Sequence, residues 1–130
     1  MTNDCAQSTQ ATILVIDDEE LMRTLIVEML KREGKATIPV RNGDEGLEVY
    51  QTRWEDIDLV ILDYILPGRS AAEMIQDLRS INPNVKVMLS TGLQEQQVGE
   101  LTANESVVGF IQKPFDINDL SAAVKKALEG

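Results

Sequence analysis

The 130-residue chain contains no histidine. That absence excludes Ser-His-Asp catalysis, the usual His-bearing zinc sites and any phosphohistidine formed on this chain. If the protein handles phosphate, the donor is another molecule. A single cysteine, Cys5, excludes an internal disulfide and fits a reducing compartment. No apolar run approaches the roughly 20 residues of a membrane span. The polar start of the chain also lacks the basic segment and apolar core of a signal peptide, so a cytoplasmic protein without membrane insertion is expected. Basic residues are scarce, 12 against 22 acidic ones, giving a net charge of −10. Phosphate backbones recruit Lys and Arg clusters, so nucleic acid is not expected as a direct partner. Most of the acid serves solubility, and part of it can concentrate cations at one site.

What is present is a set of short, β-branched apolar runs: Ile13–Ile16, Leu59–Leu62, Val85–Leu89 and Val107–Ile111. Helix-length segments separate them, which predicts strands of a parallel sheet. Ala36–Val40 is a weaker strand containing Pro39; proline cannot donate to a ladder, so this strand belongs at an edge. A helix is predicted over Glu20–Glu33, with Met22, Leu25, Ile26, Met29 and Leu30 as its inward stripe and Gly34 as its C-terminal cap. Asp44 is expected to cap a second helix through about Arg53, with Leu47, Tyr50 and Trp54 inward and Gly46 softening it. A third helix carries Met74, Ile75, Leu78 and Ile81 and ends at Asn82-Pro83-Asn84. Gln94–Ala103 offers only Val98 and Leu101 as anchors and reads as the weakest helix. Asp116 caps the last one, with Ile117, Leu120, Val124 and Leu128 on one face. Residues 1–11 read as a disordered leader and 12–130 as one domain.

Five alternations of strand and helix are the doubly wound α/β pattern, with right-handed crossovers. Pro39 at an edge favours strand order 2-1-3-4-5, with five helices and a switch point between strands one and three. In a parallel sheet the residues leaving the strands meet on one edge. Here they are Asp17, Asp18, Asp63, Ser90 and Lys113. Mg²⁺ suits a cluster of oxygen donors. Asp18 and Asp63 would be direct ligands, with a main-chain carbonyl just after Asp63, that of Ile65, as a third, and Asp17 acting through water. A carboxylate such as Asp63 can attack phosphorus to give an acyl phosphate, while metal and Lys113 neutralise the developing charge. Ser90 can donate a hydrogen bond to a phosphoryl oxygen. Each residue has a plainer reading too. The acids Asp17–Glu20 are favourable first-turn charges, Asp63 and Ser90 are turn formers, and Lys113 is a surface residue.

Taken together these segments resemble the receiver domain of two-component response regulators, from about Thr12 to Leu128. The matching stretches are Ile13-Leu-Val-Ile-Asp17-Asp18-Glu19, Leu59-Val-Ile-Leu-Asp63-Tyr-Ile-Leu-Pro67-Gly68, Leu89-Ser90-Thr91-Gly92 and Gly109-Phe110-Ile-Gln-Lys113-Pro114-Phe115. The resemblance implies a flavodoxin-like fold and a phosphoprotein that accepts phosphate on Asp63 with Mg²⁺ from a histidine kinase or histidine phosphotransfer protein. It also implies Ser90 and Phe110 as switch residues and a cis Lys113–Pro114 bond. The expected output surface for a downstream protein is the face of the fourth helix, fifth strand and fifth helix. Departures are Ala71 in place of a glycine, Leu66 in place of a common methionine, and apolar Ile65 where many relatives are polar. Two other classes stay open: a Mg²⁺-dependent phosphohydrolase with an aspartyl nucleophile, and a pseudo-receiver that only binds partners. A switch that catalyses its own phosphorylation and hydrolysis is not a conventional turnover enzyme. The wording around Ser90 and Lys113 leans towards the receiver of a hybrid histidine kinase over a stand-alone regulator.

Overall fold

A computed structural model describes residues 10–93 and 99–129. Its five-stranded parallel sheet contains β1 (Thr12–Ile16), β2 (Ala36–Val40), β3 (Leu59–Asp63), β6 (Val87–Thr91) and β7 (Val107–Gln112). The order β2-β1-β3-β6-β7 is the predicted 2-1-3-4-5 arrangement, with the Pro39 strand at an edge. Between β3 and β6 lies a small antiparallel ladder, β4 (Ile65–Leu66) with β5 (Arg69–Ser70).

The strands are near-continuous apolar runs because both faces of the sheet are covered, and their side chains alternate between two cores. Leu14, Ile16, Val60, Leu62, Val87 and Leu89 point to one side, under α2 (Gly43–Arg53) and α3 (Ala71–Ile81), where they meet Tyr50, Met74, Ile75 and Leu78. Ile13, Val15, Leu59, Ile61 and Met88 point to the other, under α1 (Glu20–Arg32) and α4 (Ile117–Glu129), against Ile26, Leu30, Leu120 and Val124. Gly46 lets α2 lie close on β1: a Cβ there would sit 2.5 Å from Ile16 Cδ1. That close approach is what its helix-weakening glycine makes possible.

Several local expectations change. Asn42, not Asp44, caps α2, accepting the Glu45 N–H at 2.8 Å, and Asp44 sits in the first turn. Trp54 leaves the inward stripe and is 36% exposed, because Arg53 (φ −130°, ψ 15°) breaks the helix into a 3₁₀ turn over Trp54–Asp56. Leu25 is 43% exposed, whereas Ile26 and Leu30 on the same helix are buried. Four α-helices are present among the described residues, one fewer than expected. In the segment expected as the weakest helix, residues 94–98 lie outside the described residues, and Gly99–Ala103 forms a 3₁₀ helix. Residues 1–9 of the expected leader also lie outside them. Ala11, at its end, is buried and its carbonyl accepts the Ala36 N–H. The closing helix has its expected cap: Asp116 Oδ1 accepts from Asp119 N–H at 2.8 Å, and Asp119 returns the bond.

Candidate functional site

The carboxyl ends of β1 and β3 lie side by side, with Ile16 paired to Leu62, so Asp17, Asp18 and Asp63 emerge together. One carboxylate oxygen from each falls within 4.8 Å of the others. Asp17 and Asp63 are 1% and 6% exposed, while Asp18 faces solvent. Two buried carboxylates this close repel each other and have lost much of their hydration. The consequence falls on Asp63: burial first, with the Asp17 and Asp18 charges adding, pushes its pKa up to about 6. Lys113 and the Ile65 N–H pull the other way.

Each group is held by its own element. Asp17 Oδ1 accepts the Glu19 N–H at 2.8 Å, and its main-chain carbonyl accepts Arg23 Nη1 at 2.8 Å, which fixes the turn into α1. Asp63 Oδ1 accepts the Ile65 N–H at 3.1 Å. Lys113 arrives from the end of β7, where its N–H donates to the Thr91 carbonyl at 2.7 Å and the Lys113–Pro114 bond is cis, as expected. Its ammonium lies 3.3 Å from Asp17 Oδ2 and 3.5 Å from Asp63 Oδ2, a single cation shared by two buried anions. Ser90 pairs with Asp63 across β3 and β6. It lies within β6, one residue before that strand's end. Its hydroxyl oxygen is buried without any hydrogen-bond partner among the described residues. Such orphaned groups are uncommon in folded proteins, and this one, on the residue paired with the buried Asp63, is available to a ligand.

All five predicted polar residues therefore sit on one sheet edge. The donors are oxygens alone, and three of them are carboxylates, a set that could hold a hard dication such as Mg²⁺. Phe110 stands elsewhere: it pairs with Leu89, is half-buried, and packs against the core under α2 and α3. Ile65 flanks the site through its backbone while its side chain is 62% exposed. Ala71 opens α3 without any positive φ, buried behind the capping box of Ser70 and Glu73. Sequence reasoning missed Arg69, whose guanidinium bridges Asp44 at 2.9 Å and Asp77 at 2.8 Å just beyond the site loop. No short motif marks it, since both partners are distant in sequence.

Comparison with known proteins gives a consistent picture. A family model described as the response regulator receiver domain matches residues 13–125. Sporulation initiation phosphotransferase F of Bacillus subtilis is 32% identical over 116 residues, covering 89% of this chain and 92% of that protein. Sensor kinase CckA of Brucella abortus is 28% identical over 122 residues, 94% of this chain but 13% of the kinase. A crystal structure of a response regulator receiver domain protein from Clostridium thermocellum superposes with TM-score 0.83 and 29% identity, covering 92% of this chain and 94% of that one.

Proposed function

The chain belongs to the response regulator receiver domain family, the phosphorylation-dependent switches of two-component signalling, and from that premise we propose that Asp63 is its phosphoacceptor. An oxygen of the Asp63 carboxylate attacks the phosphorus of a phosphohistidine on a histidine kinase or phosphotransfer protein. The P–O bond to Asp63 forms as the P–N bond to the donor imidazole breaks, and the imidazole nitrogen takes up a proton. These 130 residues contain no histidine, so the phosphohistidine lies outside them. Asp18, Asp63 and the Ile65 carbonyl would hold Mg²⁺, with Asp17 acting through water. When bound, the ion offsets the negative charge of the carboxylates and of the incoming phosphoryl oxygens.

The observation that carries this reading is the pairing of a buried, cation-poor carboxylate with a buried hydroxyl that has no partner. Asp63 is short of positive charge, and Ser90 Oγ beside it is short of a bond. A phosphoryl group on Asp63 would supply an acceptor for Ser90, and Lys113, already 3.5 Å away, would meet its charge. Ser90 and Phe110 would then report occupancy towards the face formed by the 3₁₀ segment Gly99–Ala103, β7 and α4, in a population shift between two arrangements. The cell interior is the setting in which such a donor and Mg²⁺ are met, and no helix among the described residues is long and apolar enough to cross a membrane. Acetyl phosphate with Mg²⁺ should label the wild type at one site, and Asp63→Asn should abolish the label with the circular dichroism unchanged. Label that persists on a folded Asp63→Asn protein would overturn the assignment.

A further inference from the structure

We propose that Arg69 is a positioning residue for the metal-binding edge: by tying the β4–β5 hairpin to α2 and α3, it holds the backbone of Ile65 where a cation can use its carbonyl. The proposal rests on the reading of Asp18, Asp63 and Ile65 as cation ligands.

The four strand ends at the site, those of β1, β3, β6 and β7, are fixed by the five-stranded sheet. The segment after Asp63 is not. It leaves the sheet at Tyr64, whose N–H still donates to the Ser90 carbonyl at 2.9 Å, and turns back after two residues. The loop is Pro67-Gly68, with Gly68 at φ +84°. Proline followed by a positive-φ glycine is the type II pattern, which splays two strands instead of matching their right-handed twist. The ladder accordingly stops after the pairs Ile65–Ser70 and Leu66–Arg69. A two-residue ladder does not order itself in water.

Arg69 supplies the missing constraint from outside. Its Nε reaches Asp44 at 2.9 Å at the start of α2, and its Nη1 reaches Asp77 at 2.8 Å on α3. Its stem fills the space over Gly43, where a Cβ would stand 2.9 Å from Arg69 Cδ. The planar fork joins two helices to the strand that is paired with Leu66 and adjacent to the partner of Ile65. Both pairs are partly exposed, so their effect on global stability is small, but they act on the least constrained part of the site.

Charge alone makes the opposite prediction. Arg69 is a cation near an acidic cluster, so removing it would tighten Mg²⁺ binding by Coulomb's law. Under a positioning role, removing it weakens binding. Titration calorimetry of the whole chain with MgCl₂ separates the two. Arg69→Met, which keeps an apolar stem over Gly43, should raise the Mg²⁺ dissociation constant about fivefold, or about 1 kcal/mol. Arg69→Lys, which retains charge but not the fork, should fall between. In EDTA, amide exchange at Ile65 and Leu66 should quicken in Arg69→Met ahead of the β3 amides. If wild type binds Mg²⁺ and Arg69→Met binds it as well or better, Arg69 has no positioning role. A lowered melting temperature with an unchanged dissociation constant excludes that role equally. If the wild type binds no Mg²⁺, the assignment of Asp18, Asp63 and Ile65 as cation ligands fails, and this inference with it.

Discussion

Replacing Asp63 by Asn should stabilise the metal-free protein, although it removes the proposed phosphoacceptor. The fold raises the Asp63 pKa from an ordinary 3.8 to about 6, chiefly by burial. At 1.36 kcal/mol per tenfold this is about 3 kcal/mol. The sign follows from linkage: a carboxylate that is harder to ionise when folded gives the native state the extra proton. Below about pH 4 both states are protonated and the penalty vanishes. It grows as pH rises towards 6, and above that it is fully present. Asn is neutral throughout, and its amide oxygen can still accept the Ile65 N–H. Lys113 keeps Asp17 at 3.3 Å. Urea unfolding in EDTA should therefore find Asp63→Asn more stable than wild type at pH 7 by up to ~3 kcal/mol, with the two converging at pH 4. Mg²⁺ should narrow the gap at pH 7, since a ligand at 100 times its dissociation constant adds about 2.7 kcal/mol to the form that binds it. An Asn variant less stable than wild type at pH 7, or a difference that ignores pH, would refute the reasoning.

Lys113→Met should do the reverse, leaving the buried Asp17 and Asp63 without a cation and costing about 3 kcal/mol at pH 7; because Lys113 holds the Asp63 pKa down, its loss moves that pKa above 6 and the deficit shrinks as pH falls towards 6, which urea unfolding between pH 8 and 5 checks. Ile65→Asn should speed decay of the aspartyl phosphate, because an apolar side chain beside the site cannot orient an attacking water and an amide can; an unchanged or slower decay of the labelled protein would rule this out. Gly46→Ala should destabilise by about 1–3 kcal/mol by forcing a Cβ onto Ile16, visible as a lower urea midpoint with the slope unchanged. Amide exchange with and without a phosphate mimic should differ most in Gly99–Ala103 and β7; differences confined to α1 would contradict the proposed route from Ser90 and Phe110.

The sheet was legible because each central strand is buried on both faces and so reads as an unbroken β-branched run, with Pro39 marking the edge. The acid site was legible for the same reason: apolar strands of known direction deliver Asp17, Asp18, Asp63, Ser90 and Lys113 to one edge. What escaped depended on contacts distant in sequence or on rival local signals. Asn42 and Asp44 are both capping types two residues apart. The deciding signal was the glutamate three residues after Asn42, the spacing of a capping box. The same spacing marks Ser70 and Glu73. Trp54 continues the helical period of α2 on paper, yet the backbone leaves the helix at Arg53 and carries the ring out of the core. The β4–β5 ladder is too short to announce itself through alternation, and Arg69 finds its partners 25 and 8 residues away.

Pro39 has a further consequence, for assembly. In a parallel strand, one residue directs both its N–H and C=O to the same neighbour and the next directs them away. The bonds Ala36 N–H to Ala11 and Asp17 N–H to Val40 turn residues 36 and 40 towards β1. Position 39 therefore faces outward, where a proline has no hydrogen to offer a strand arriving from solvent. The opposite rim, β7, carries no such block. Pro39 thus takes one donor out of the outward-facing row of β2, so a strand arriving from solvent is held less well along that rim than along β7.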